Sequence, residues 1–190
     1  MWASGDELNA FLQVVYGFLH DISIAVYIGG AIAMEYVLGP AQSSIPPAQS
    51  QVMGQKTANR FLWLVWGSLG VIIVTAVLRL EGLGHISWST SFLGDTMGLS
   101  KDYGLTVWVM LFLWCVLVAN GLVMTFYLRP RLAGRLKAGT TTAGVQASMQ
   151  VKMEAAKWVG RITKADIIIA LVIALFGASL KWGGFIPSPF

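Results

Sequence analysis

Four long runs of apolar residues divide the chain, and polar segments separate them. The runs cover about residues 12–38, 61–80, 105–128 and 165–180. Each meets or approaches the ~20 apolar residues that an α-helix needs to cross ~30 Å of hydrocarbon. Neither Val71–Val77 nor Ile167–Leu175 shows the polar face of a water-soluble helix. The pattern predicts an all-α protein, a single domain built as a bundle of four transmembrane helices.

Basic residues are concentrated in two of the polar connections. Ten of the 13 Lys and Arg residues lie there: Lys56, Arg60, Arg129, Arg131, Arg135, Lys137, Lys152, Lys157, Arg161 and Lys164. The first and third connections of a four-span bundle share one side of the membrane, and basic connections stay in the cytoplasm. We therefore expect a multi-pass protein of the bacterial inner membrane, with both termini and residues 81–103 facing the periplasm or exterior.

Composition leads to the same class of protein. Apolar residues make up 56% of the chain and charged residues 12%, and the mean hydropathy is +0.68. The net charge of +4 is explained by membrane orientation and anionic headgroups, so the expected partner is the lipid bilayer and no nucleic acid.

Asp6 and Glu7 stand where a signal peptide carries positive charge, which predicts that the first span is retained. Cys115 is the only cysteine, which excludes an internal disulfide.

Proline and glycine mark the predicted helix boundaries. Gly39-Pro40 is expected to end the first helix, and Pro46-Pro47 to begin a short helix that leads to Arg60. Residues 145–159 are expected to form a helix that lies on, or extends from, the inner membrane surface. The chain shows no heptad or solenoid repeat.

Ionisable residues inside the apolar runs are the best pointers to function. A charged side chain at mid-bilayer costs ~2.5–3.5 kcal/mol, so it needs a reason to be there. We expect Asp21 to pair with Arg79, and Glu35 and Asp166 to orient helices near the inner surface. Their expected partners are Arg60, Arg161 and Lys164.

His20 begins a stripe of side chains that could bind a cofactor. His20, Tyr27 and Met34 recur every seven residues, so they share one helix face. Imidazole binds copper and haem iron, and a thioether suits Cu(I) or a second axial haem position. The alternative is that His20 hydrogen-bonds a neighbouring helix and Met34 only packs. In the second connection, His85 and Met97 could capture an arriving cation.

The first span, FLHDISIAVYIGGAIAMEYVLGPAQ, resembles the first helix of the copper-resistance CopD domain and its four-helix relatives. The segments VTAVLRLEG, ANGLVMTFYLRPRLAGRL and WVGRITKADIIIALVIALFGASL are similar to the later helices. The resemblance implies an inner-membrane four-helix bundle concerned with copper uptake or with a haem-linked redox step. The chain is distantly similar to the HemJ type of protoporphyrinogen oxidase, but its third span carries Asn120 and Trp114 and no histidine.

Three hypotheses follow. The first is a CopD-like protein that binds copper and assists its passage, with His20 and Met34 as intramembrane ligands and His85 and Met97 as entry ligands. The second is a redox protein or oxidase-like enzyme that holds haem b, with His20 as axial ligand and Tyr27 or Arg79 touching the porphyrin. The third is an accessory subunit, in a homo-oligomer or a larger membrane complex, without a metal of its own. No residue is assigned a catalytic role.

Overall fold

The computed structural model describes residues 5–86, 104–132 and 142–180. In order, its elements are α1 (Gly5–Ile32), π1 (Ala33–Leu38), α2 (Gly39–Ser43), α3 (Pro47–Gly82), α4 (Gly104–Leu122), π2 (Val123–Leu128), α5 (Arg129–Leu132) and α6 (Thr142–Ser179). They form four continuous helical segments that are long and apolar enough to cross a membrane. The predicted all-α fold with four membrane-spanning helices is confirmed.

Proline 40 does not end the first helix, so that prediction is wrong. Proline lacks an N–H and its ring clashes with the carbonyl four residues earlier. A wider π turn precedes it, in which the Gly39 N–H bonds the Met34 carbonyl. The same arrangement precedes Pro130, where the Arg129 N–H bonds the Met124 carbonyl. The π turn accommodates the proline, and each helix continues beyond it.

The second and fourth helices extend well beyond their apolar runs. Pro46 is not helical and Pro47 is the first residue of α3, so the expected separate short helix is the start of the second span itself. Residues 145–159 are helical as predicted, and they are continuous with the fourth span. The shortest apolar run thus lies in the longest single α-helix, because no proline interrupts residues 142–179.

A glycine turn closes the far end of α3. Gly84 has φ 72°, a conformation that glycine adopts without steric cost. The backbone N–H of His85 then donates to the Leu80 carbonyl at 2.8 Å. This pattern is a Schellman motif, which satisfies carbonyls left open at a helix terminus.

Hydrogen bonds between side chains define an antiparallel arrangement. His20 of α1 contacts Thr75 of α3, Trp66 of α3 bonds Thr125 of π2 at 3.3 Å, and Asn120 of α4 bonds Asp166 of α6. The segments therefore pair as two helical hairpins, α1/α3 and α4/α6. We call the end where α1 begins the N-terminal end of the bundle, and the end that holds Arg60, Arg129 and Lys164 the basic end.

One residue from each long helix forms a central layer. Its members are Tyr27, Leu69, Leu117 and Ala170, and none is more than 6% exposed. Leu117 comes 90 positions after Tyr27, and the same interval separates Pro130 from Pro40. Ala170 comes 101 positions after Leu69, and the same interval separates Arg161 from Arg60. The second hairpin is thus a structural repeat of the first. Since α1 and α4 run in the same direction, the repeat relates the hairpins about an axis along the bundle.

Large apolar side chains cover the outside of the bundle. Trp63, Phe112 and Phe126 are 76%, 66% and 72% exposed. A soluble protein would not leave so many of them in water, whereas acyl chains would cover them in a membrane. The distribution agrees with four helices that face lipid.

Candidate functional site

The imidazole of His20 is held by the second span. Its Nδ1 lies 3.2 Å from the Ile72 carbonyl oxygen and 2.9 Å from Thr75 Oγ1. A carbonyl oxygen only accepts, so this contact favours the tautomer in which Nδ1 carries the proton and donates it. The Thr75 hydroxyl donates to the Val71 carbonyl at 2.6 Å, which leaves its oxygen free to accept. The ring therefore has its lone pair at Nε2, the state in which histidine ligates a metal.

The local sequence explains why α3 can hold the ring. Thr75 is only 4% exposed, and its hydroxyl is placed by a bond to the carbonyl four residues earlier, as is common for threonine in helices. His20 itself is half-buried in the face of α1 that packs on α3. The alternative that His20 bonds a neighbouring helix is thus realised by Nδ1, and Nε2 is left for a ligand.

The rest of the predicted stripe does not gather around His20. Tyr27 is buried in the central layer. Met34 lies in π1 near the basic end, and 14 residues of helix separate it from His20, about 21 Å along the axis. His20 and Met34 therefore cannot bind one ion.

Of the two predicted entry ligands, the structure places His85 at the N-terminal end of the bundle. His85 follows α3 and is half-buried. Met97 lies outside the described residues. Within residues 5–86, 104–132 and 142–180, no group of three or more His, Cys, Asp or Glu side chains is placed to hold a metal ion. A copper site here would have to use thioether ligands beside an imidazole.

The predicted pair between Asp21 and Arg79 does not form. Arg79 packs on Gly17, where an added Cβ would lie 3.7 Å from its guanidinium carbon. Asp21 is one turn further along α1, about 6 Å along the axis, and it is exposed on the side of the bundle. Among the described residues the ion pair that forms joins Lys164 Nζ to Glu35 Oε1 at 3.4 Å, as the sequence predicts. Among the described residues, neither Arg79 nor Asp21 has an ion-pair partner.

Asp166 has a different partner from the basic residues that we expected. Asn120 Nδ2 donates to its Oδ1 at 2.6 Å, and the carboxyl residue is 6% exposed. The prediction of a cationic partner is wrong because Asp166 faces α4 in the bundle interior, where no basic side chain is available on that helix between residues 104 and 128. Asn120, the one amide in the third span, was the available signal.

Two buried polar atoms of α4 lack a hydrogen-bond partner in the described part of the chain: Thr106 Oγ1 and Trp114 Nε1. Thr106 is 0% exposed. Such atoms are uncommon in folded proteins and cost about 1–3 kcal/mol each when unsatisfied. Sequence reasoning missed Thr106, because a threonine in an apolar run is ordinary and its burial follows only from the packing.

No family model, no curated protein and no solved structure matches this chain. The resemblance to the CopD domain and to the HemJ type therefore stays a prediction. The function has to be argued from the groups just described: the imidazole of His20, an arginine one turn away with no ion-pair partner among the described residues, and two donors that no described residue satisfies.

Proposed function

We propose that the protein is a multi-pass membrane protein that binds haem b, with His20 as an axial ligand. The observation that carries the proposal is the contact of His20 Nδ1 with the Ile72 carbonyl oxygen at 3.2 Å, which favours the tautomer that has its lone pair at Nε2. A carbonyl or carboxylate at the other ring nitrogen is the usual partner of a metal-bound histidine. Bound haem would supply one-electron transfer.

Arg79 supports haem in particular. Its guanidinium lies against Gly17, which is three residues before His20 on the same helix. Haem carries two propionates, and arginine binds carboxylates through paired hydrogen bonds. In this proposal Arg79 would hold a propionate toward the N-terminal end of the bundle. Burial of the porphyrin ring between helices would exclude water from the iron. Tyr27 closes the site at the central layer.

The test is the optical spectrum of protein purified after expression with ample haem. We expect a Soret band with about one haem per chain, its loss in His20→Ala, and its retention in His85→Ala. His85 is the matched control because it is the only other histidine. A wild-type protein without a Soret band, or a His20→Ala variant that keeps full haem, would refute the proposal.

Copper is the second candidate, and the soft donors of the chain favour it. Cu(I) accepts imidazole and thioether ligands, and the free Nε2 of His20 suits it as well as iron. Here copper is cargo that the protein helps into or across the bilayer. Competition with a Cu(I) chelator should show about one tight site that His20→Ala weakens at least tenfold and His85→Ala leaves intact. Unchanged affinity and unchanged cellular copper tolerance in His20→Ala would exclude this candidate.

Asp21 favours the third candidate, an accessory subunit of a membrane complex. It lies within the first span and is exposed on the side of the bundle, where lipid would make a carboxylate costly by about 2.5–3.5 kcal/mol. A partner helix, from a second copy or another protein, would shield it. Co-purification of a stoichiometric partner that Asp21→Leu abolishes and Asp6→Leu retains would support this role, and a monodisperse monomer in both variants would refute it.

The orientation is part of the proposal. The basic end carries most of the Lys and Arg residues and should face the cytoplasm of a bacterial inner membrane. In a Cys115→Ser background, a membrane-impermeant maleimide should label Glu81→Cys in intact spheroplasts and Lys56→Cys only after lysis. The reverse labelling would invert the topology.

A further inference from the structure

Two turns from the central layer, the four helices present a second set of facing residues. Each of them lies seven residues from a member of the central layer, toward the N-terminal end. They are His20 in α1, Ala76 in α3, Met110 in α4 and Gly177 in α6. Seven residues are close to two helical turns, so each lies on the same helix face as the central residue, about 10.5 Å along the bundle. All four are half-buried. We call this set the His–Met layer.

The internal repeat makes His20 and Met110 equivalent. Met110 comes 90 positions after His20, the same interval that separates Leu117 from Tyr27. Their contacts correspond too, since His20 contacts α3 and Met110 contacts α6. Two equivalent helices of a bundle therefore bring an imidazole and a thioether to one level of the interior.

The other two members of the layer have small side chains or none. Ala76 and Gly177 are among the smallest residues, and the terminal methyl of Met110 lies 3.5 Å from the place where a Cβ at Gly177 would be. This distance is an ordinary van der Waals contact, so the end of the Met110 side chain lies against α6. The layer thus combines two metal-binding side chains with two residues that occupy little volume, an arrangement that a packed apolar core does not need.

The unsatisfied donors of α4 lie on either side of Met110. Thr106 precedes it by four residues and Trp114 follows it by four, so all three share a helix face. Thr106 is 0% exposed, and within residues 5–86, 104–132 and 142–180 neither Thr106 Oγ1 nor Trp114 Nε1 has a partner. Donors of this kind call for a ligand that carries acceptor atoms. Thr106 and Arg79 are both displaced from the His–Met layer toward the N-terminal end, on neighbouring helices.

We propose that Met110 is the second axial ligand of the haem, opposite His20, and that the Thr106 hydroxyl donates to a propionate. This inference rests on the proposed haem-binding function. The iron is then six-coordinate, with one nitrogen and one sulfur ligand, and the two halves of the repeat contribute one axial ligand each. A thioether opposite histidine favours the ferrous state and raises the reduction potential.

The experiment compares Met110→Leu with wild type by optical and electron paramagnetic resonance spectroscopy of the haem-loaded protein. Leucine has nearly the volume of methionine, so the fold should be kept. We expect wild-type haem to be low-spin, and Met110→Leu to retain haem in a high-spin state with a lower reduction potential. Met110→His should restore a low-spin spectrum. Met124→Leu is the matched control, a methionine of the same helical segment near the basic end, and it should match wild type.

Each outcome has one meaning. A Met110→Leu spectrum identical to that of wild type overturns the assignment of Met110 and leaves haem binding by His20 standing. Absence of a Soret band in wild type removes the proposed function together with this inference.

Discussion

The two helical hairpins share one backbone plan but are held together by different interactions. In the second hairpin, Asn120 of α4 donates to the buried Asp166 of α6 at 2.6 Å. The equivalent of Asn120, 90 positions earlier, is Gly30, and there the ring of Phe61 occupies the space that a side chain would fill. At this position the first hairpin is thus held by the close packing of α1 against α3, and the second by a hydrogen bond between α4 and α6. The comparison teaches that the repeated fold constrains the helix positions more tightly than it constrains the chemistry between them.

The largest expected effect is on the polar bond of the second hairpin. Asn120→Leu removes the donor and leaves the Asp166 carboxyl buried without its partner, which should cost about 3 kcal/mol. Thermal unfolding in detergent micelles, followed by circular dichroism, measures the loss. Ala119→Leu, a neighbouring position that faces outward, should be close to wild type. Equal stability of both variants would show that the bond is not structural.

Close approach in the first hairpin is tested next. Gly30→Leu places a side chain where the Phe61 ring lies, and overpacking of this kind costs about 2 kcal/mol. The adjacent Gly29 has nothing within contact distance of an added Cβ, so Gly29→Leu should be neutral or stabilising in the same unfolding assay. If Gly30→Leu is tolerated as well as Gly29→Leu, α1 and α3 do not depend on this contact.

A smaller effect is expected where the first hairpin has its own polar contact. Thr75→Val removes the hydroxyl that accepts from His20 Nδ1, while the bond to the Ile72 carbonyl remains. Hydrogen bonds between membrane helices contribute about 0.6 kcal/mol on average, so the loss should be of that size. A loss as large as that of Asn120→Leu would mean that the hairpins are held alike.

The smallest effect concerns the ion pair between the hairpins. Glu35→Gln removes the partner of Lys164, whose side chain is 59% exposed. Pairs of this kind contribute a few tenths of a kcal/mol, about 0.3 here, and salt screens them. The difference from wild type should vanish in high salt. A salt-independent loss above about 1 kcal/mol would show that the pair is a main link between the two halves.

Hydropathy was enough to predict the four spans, because the bilayer requires long apolar helices. It could not predict their ends. The apolar run that begins near Ala165 measures only the part of α6 that suits lipid, whereas the helix starts at Thr142 because its polar part also has good helix formers. Pro40 was misjudged because the π turn before it removes the clash that normally ends a helix.

The candidate site was predictable in part. His20 stood out because an imidazole in an apolar run is costly and therefore informative. Its tautomer could not be predicted, since the Ile72 carbonyl is 52 residues away in the chain. Met110 was missed for the same reason. A methionine in a span usually packs, and its place at the level of His20 follows only from how α4 lies relative to α1 along the bundle. Asp21 and Arg79 do not pair because Arg79 of α3 packs beside Gly17 of α1, one helical turn before Asp21.

The repeated hairpin bears on how the molecule assembles in the membrane. Each half contains its own proline-adapted helix and its own return helix, so a half could insert into the membrane as a unit. The two halves, expressed as separate polypeptides divided within residues 87–103, should therefore find each other in the membrane and restore the intact protein.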